Sequence, residues 1–125
     1  MKQQVPETVV IIGASEKTNR YSHMAMTALS EHGHDVRLVN PFKTSIDGQR
    51  CFRSIADIND EINTVTLYVN PERFKDHIDE VVKARPDRVI MNPGTENSEM
   101  EKVMKEAGIE VLRACTLIML SSGSF

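Results

Sequence analysis

Thr8-Val9-Val10-Ile11-Ile12-Gly13-Ala14-Ser15 opens as a β-branched apolar run and breaks at a glycine. Apolar residues at every position, not at alternate ones, suit a strand covered on both faces, which is the habit of parallel sheets. Similar β-rich runs recur at Asp35 to Asn40, Thr64 to Asn70, Arg88 to Asn92 and Glu110 to Ala114, with starts 27, 29, 24 and 22 residues apart. Each interval holds a helix and two loops, so the rhythm is that of repeated βα units.

The helices are legible between them. Tyr21, Ala25, Ala28 and Leu29 fall on one helical face that Gly33 is placed to end. Phe74, Ile78, Val81 and Val82 repeat those offsets behind Asn70-Pro71, a cap followed by proline at the first helical position. Met100, Val103, Met104 and Ala107 form a third stripe, opened by a Ser98-x-x-Glu101 capping box and closed by Gly108. The connection from Pro41 to Asn63 is less regular: Asp47-Gly48 reads as a turn and Ser54 to Ile62 as a short helix. The expected architecture is α/β, a Rossmann-like three-layer sandwich on an open parallel five-stranded sheet of order 3-2-1-4-5. A closed barrel needs about eight βα units and twice the length. The 125 residues form one domain, with a loosely held tail at 121–125.

With 15 Lys+Arg against 18 Asp+Glu, the net charge is −3, and 40% of residues are hydrophobic. This describes a globular chain without the basic clustering that nucleic acid demands. The longest apolar runs, Val9 to Ile12 and Leu117 to Leu120, fall far short of the roughly 20 residues of a membrane span. Lys2 imitates the charge of a signal peptide, but Pro6 and Glu7 interrupt the stretch behind it, so a cytoplasmic location is expected. Cys51 and Cys115 lie 64 positions apart, with no CxxC, and suggest neither a disulfide framework nor a zinc site.

In doubly wound sheets ligands bind at the carboxyl ends of the strands, where the strand order reverses. The first such turn, Gly13-Ala14-Ser15-Glu16-Lys17-Thr18-Asn19-Arg20, lets backbone approach a ligand and offers helix-opening N–H groups to a phosphate. It is not a dinucleotide fingerprint, because Ser15 stands at the second glycine position and the loop is longer. The second strand ends in Asn40-Pro41-Phe42-Lys43, without the acid that an ordinary NAD site places against the ribose. Lys43 suits instead a ribose carrying an added phosphate, as in CoA or NADP; otherwise it is a solvated lysine. Asn70-Pro71 and Asn92-Pro93-Gly94 bring to three the strand ends that carry Asn-Pro, where capping and ligand binding are compatible.

Gly13-Ala14-Ser15 with Arg20-Tyr21-Ser22, Val39-Asn40-Pro41 with Lys43, Asp47-Gly48-x-x-Cys51-Phe52-x-Ser54-Ile55-x-Asp57-Ile58, Asn92-Pro93-Gly94, and Ala107-Gly108-Ile109-x-Val111 before Cys115 together carry a resemblance. From about Thr8 to Met119 the chain resembles the small CoA-binding domain family, which is similar to the N-terminal domain of the succinyl-CoA synthetase α-subunit and of ADP-forming acyl-CoA synthetases. The resemblance implies CoA or acyl-CoA bound across the strand ends. Gly13, Ala14, Ser15, Arg20, Tyr21 and Ser22 would hold the pyrophosphate, and Asn40, Pro41 and Lys43 the adenosine 3′-phosphate end. Val69, Asn70, Pro71, Asn92, Pro93 and Gly94 would line the remaining cleft. Many relatives follow the Cys115 region with a Met, an acid and a His; here it runs Cys115-Thr116-Leu117-Ile118-Met119, so those roles are not carried over.

His32-Gly33-His34 lacks a nearby third ligand and reads as a helix stop and strand start, so no metal is expected. Cys115, on the ligand side of the last strand, is expected as a small buried apolar residue or as a thiol facing a pantetheine arm. No acid, base or nucleophile set assembles at meaningful spacing. The leading expectation is therefore a CoA-binding module without catalysis of its own, with a protein partner or a homo-oligomer left open. The alternatives are an NAD(P)-binding regulatory domain and a subunit that completes an acyl-CoA synthetase in trans.

Overall fold

A computed structural model describes residues 5–125; Lys2 lies outside the described residues. The chain runs β1 (Thr8–Ile12), α1 (Tyr21–Glu31), β2 (Asp35–Val39), β3 (Ser45–Ile46), β4 (Gln49–Phe52), a 3₁₀ turn at Ile55–Asp57, and β5 (Thr64–Leu67). It continues through α2 (Pro71–Phe74), α3 (Ile78–Ala84), β6 (Arg88–Met91), α4 (Ser98–Glu106), β7 (Glu110–Arg113) and α5 (Thr116–Ser122). The five expected strands all form, each ending one to three residues early because the residues beyond turn aside to build the strand-end loops.

The sheet has seven strands in the order β3-β4-β2-β1-β5-β6-β7, which corrects the expected five in order 3-2-1-4-5. The Thr64 strand lies beside β1, not outside β2. All four of its residues are buried, so it needs a strand on either side, and β1 and β6 supply them. The place outside β2 is taken by β4, parallel to it through Leu38↔Cys51 and Val39↔Phe52. The antiparallel β3 then folds back on β4. Asp47 and Gly48, at φ 51° and 78°, make the two-residue hairpin turn between them. Of Gln49-Arg50-Cys51-Phe52 only Cys51 is buried, and so short and polar a strand leaves no periodicity to read.

Alternate residues of β1 serve opposite layers, as the pleat requires. Val9 and Ile11 pack with Ala25, Met26 and Leu29 of α1 and Leu120 of α5. Val10 and Ile12 pack with Phe74, Val81, Met100 and Met104 beneath the α2–α4 layer. One helical stripe is rotated from expectation, and one helix keeps its buried Met100 and Met104 but is capped a residue earlier. In α1 the buried face is Ser22, Ala25, Met26 and Leu29, and Tyr21 stands 71% exposed at the strand-end side. In α4 the cap is Asn97, whose side chain accepts from the Met100 N–H at 3.0 Å, while Ser98 and Glu101 bind Arg113 instead. The stripe expected behind Asn70-Pro71 is split between α2 and α3, with Phe74 fully buried. Residues 121–125 start inside α5, and the Phe125 ring sits 5.0 Å from that of His34 with the Arg88 guanidinium 4.5 Å over it.

Candidate functional site

The chain leaves β1 for β2 on one side and later returns to β5 on the other, so the strand order reverses at the carboxyl ends of β1 and β5. Gly13 sits there at φ +93°. A Cβ on it would meet the Tyr68 carbonyl carbon and oxygen at 2.8 Å, so the close passage of the first loop over β5 demands glycine. The Gly13 and Ala14 N–H groups both donate to the Val39 carbonyl, at 3.0 and 3.1 Å. Ser15 accepts from the Lys17 N–H at 3.1 Å and shapes the turn into Arg20. Arg20 caps α1 in extended conformation without a side-chain bond; its carbonyl accepts from the His23 and Met24 N–H groups at 3.1 Å, which leaves the Tyr21 and Ser22 N–H groups of this 11-residue helix open to an acceptor.

The three strand-end asparagines turn out to be braces. Asn40 donates to the Ala14 carbonyl at 2.8 Å and accepts from the Phe42 N–H at 2.8 Å, tying the first loop to the second. Asn70 accepts from the Arg73 N–H at 2.8 Å and starts α2 with Pro71 at its first position. Asn92 is 2% exposed; it donates to Thr66 at 2.7 Å and to the Leu67 carbonyl at 2.8 Å, and accepts from the Thr116 N–H at 2.9 Å. Each amide holds a wall in position, and that of Asn92 has no donor to spare for a ligand.

Three clefts adjoin along this edge. One of about 540 Å³ is walled by Val39, Asn40, Pro41 and Phe42 on one side and by Arg73, Asp76, His77 and Glu80 on the other, with Arg53 and Ser54 at its rim. The next, about 370 Å³, lies on Gly13, Ala14, Ser15, Lys17, Arg20 and Ser22. The third, about 270 Å³, runs from Arg20, Tyr21 and Ser22 past Tyr68 and Asn70 to Pro93 and Gly94. Val69 lines all three. Twelve of the fifteen expected residues line this row. Asn92 and Pro71 do not, being committed to the framework, and neither does Lys43, whose ammonium lies 2.6 Å from the Glu16 carboxylate.

Sequence reasoning missed Lys17, Arg53 and Arg73. Together with Arg20 they carry no ion pair among the described residues, and each lines a cleft. Arg73 had a signal, since the third residue behind an Asn-Pro cap lies in the first turn of a helix at a strand end. Arg53 becomes visible only once Gln49–Phe52 is known as a strand that ends beside the site.

Tyr68 lines the second and third clefts, and burial pushes its hydroxyl up to about 12, so it stays neutral. Burial also raises the Cys51 thiol, which is sealed in the core under β2 and α1. Cys115, at the N-cap of α5, lines none of the three clefts. Among the described residues no three His, Cys, Asp or Glu side chains converge as a metal site, and no helix is long and apolar enough to cross a membrane. A further cavity of about 480 Å³ opens at the opposite edge of the sheet, but there Arg88 is already taken by Glu7 and Thr64. The strand-end row is thus the place where unpaired cations, backbone donors and apolar walls coincide, an arrangement suited to a long ligand with phosphates in its middle.

A family model described as "CoA binding domain" matches residues 7–121. Among curated proteins, the Uncharacterized protein YneT of Bacillus subtilis is 24% identical over 109 residues, 87% of this chain and 81% of that protein. The Acetate--CoA ligase [ADP-forming] of Methanocaldococcus jannaschii is 30% identical over 64 residues, 51% of this chain but 9% of the ligase. Among solved structures, one described as an uncharacterized protein superposes with a TM-score of 0.92 at 38% identity, covering 98% of this chain and 100% of that one.

Proposed function

The chain belongs to the CoA-binding domain family, and on that premise we propose that it binds coenzyme A or an acyl-CoA across the carboxyl ends of β1, β2, β5 and β6, with no catalysis of its own. The observation that carries this reading is the row of three clefts joined by Val69, with four unpaired cations gathered along it on a chain of net charge −3. The adenosine takes the 540 Å³ cleft, where Val39, Pro41 and Phe42 supply apolar cover. The pyrophosphate lies on Gly13, Ala14 and Ser15 and on the helix start at Arg20, Tyr21 and Ser22. Lys17 and Arg73 supply charge there. The pantetheine arm follows Tyr68, Val69 and Asn70 to Pro93 and Gly94, while Asn40, Pro71 and Asn92 hold the walls.

Calorimetric titration of the protein with CoA, dephospho-CoA and NADPH tests the reading. CoA is expected to bind more tightly than NADPH, whose nicotinamide arm does not match the narrow third cleft. Absence of heat with millimolar CoA refutes it, and tightest binding of NADPH favours the regulatory NAD(P) alternative. Acyl-CoA incubated with the pure protein is expected to survive; release of free CoA refutes the non-catalytic part.

A second reading draws on the ligase relative, of which the matched segment is a small part. The chain then supplies the CoA-binding portion to a separate catalytic partner. Co-purification with a larger chain that uses ATP is the expected sign, and a CoA-saturated protein that captures no such chain counts against it.

A further inference from the structure

Resting on the coenzyme A reading above, we propose that the adenosine 3′-phosphate is read by Arg53, and that Lys43 plays no part in that choice. Lys43 and Glu16 belong to two neighbouring strand-end loops and already satisfy each other at 2.6 Å. A phosphate that sought Lys43 would have to displace a carboxylate and would meet that carboxylate as a like charge. Nor does Lys43 line the cleft that would hold the adenosine.

Arg53 follows directly on β4 and lies at the rim of that cleft, exposed and without an ion pair among the described residues. Beside it Ser54 accepts from the Ala56 N–H at 3.0 Å, which leaves its own hydroxyl proton to donate. The pair therefore brings a forked cation and a hydroxyl to the lining of one cleft, donor types that a phosphate dianion takes up.

Two further features fix the sense of the ligand. Arg73 lines both the adenosine cleft and the loop cleft, so it faces the pyrophosphate that must cross between them; Arg53 lines the adenosine cleft alone. The remaining charged wall, Asp76 and Glu80, is acidic, and the Glu80 Oε2 atom is buried without a partner. That wall repels a phosphate and accepts from hydroxyl or amino protons, which turns the ribose so that its phosphate faces Arg53 and Ser54.

The test is the ratio of CoA to dephospho-CoA affinity, measured by calorimetry on the wild type and on Arg53→Gln, Lys43→Met and Glu16→Gln. The wild type is expected to prefer CoA by about tenfold or more, the worth of a charge-assisted hydrogen bond. Arg53→Gln should bring the ratio to within about twofold of unity, while Lys43→Met and Glu16→Gln leave it unchanged. Loss of the preference in Lys43→Met, its survival in Arg53→Gln, or a wild type that does not discriminate would each overturn the assignment while leaving CoA binding intact. A wild type that binds neither ligand overturns the binding reading itself. Arg53 is exposed, so unchanged melting temperatures are expected and separate loss of recognition from loss of fold.

Discussion

Gly13→Ala probes the point where fold and site are one object. The new methyl carbon would lie 2.8 Å from both the Tyr68 carbonyl carbon and its oxygen, and 3.1 Å from Val69 Cγ1. The first two are strand backbone, which cannot swing aside as a side chain would. At φ +93° the substitution also carries the strain of an L-residue in a glycine conformation, on the order of 1–3 kcal/mol. Forcing apart a packed contact adds about 1–3 kcal/mol, a large part of the roughly 5–15 kcal/mol that holds a domain of this size. Gly33→Ala is the control: its φ is +85°, yet nothing lies within 4 Å of the added carbon, so it reports the conformational cost alone. Urea unfolding of both variants, with unchanged dependence on denaturant, isolates the contact as the difference between them. Val69 lines all three clefts and Tyr68 two of them, so displacing this segment should lower CoA affinity in Gly13→Ala, while affinity holds in Gly33→Ala. Equal destabilisation by the two variants, or undiminished CoA binding by Gly13→Ala, would show that the first loop does not need to pass so close to β5.

Arg73→Gln should weaken CoA and dephospho-CoA alike, by about tenfold, because the pyrophosphate is common to both; calorimetry on the two ligands checks it. Asn92→Ala strands the Thr116 N–H and the Leu67 carbonyl in the interior, and a loss of at least about 2 kcal/mol is expected from urea titration. Burial holds His34 below its ordinary value, with Glu7 opposing and His32 and Arg88 adding to the shift. The unfolded chain therefore takes up the proton first as pH falls, so His34 costs the fold stability below about pH 6.5, and none above it. Unfolding midpoints at pH 7.5 and 5.5 should differ less in His34→Gln than in the wild type.

Much of the candidate site was legible because its parts are local. A glycine that ends an apolar strand and an asparagine before a proline declare themselves within a few residues. Twelve of the expected lining residues therefore meet along one edge. What the sequence could not display depends on partners far away in the chain. Asn92 looks like a ligand-facing amide until Thr66 and Thr116, 26 and 24 residues off, claim it. Lys43 looks free until Glu16, 27 residues earlier, neutralises it.

By itself the sequence determined the α/β class, five of the seven strands, the helices between them and the strand ends at which the candidate site residues gather. These come from apolar periodicity and from backbone conformations that only particular residues adopt. Only the tertiary structure decided which strand stands beside which. Gln49–Phe52, carrying one buried residue, takes the place outside β2, and the wholly buried Thr64–Leu67 moves to the centre beside β1. Pairing is settled by burial on both faces, a property of the assembled sheet that no single stretch of chain can display. The same assembly decided which cations stay unpaired, because an ion pair is made across loops that meet only when the sheet has formed.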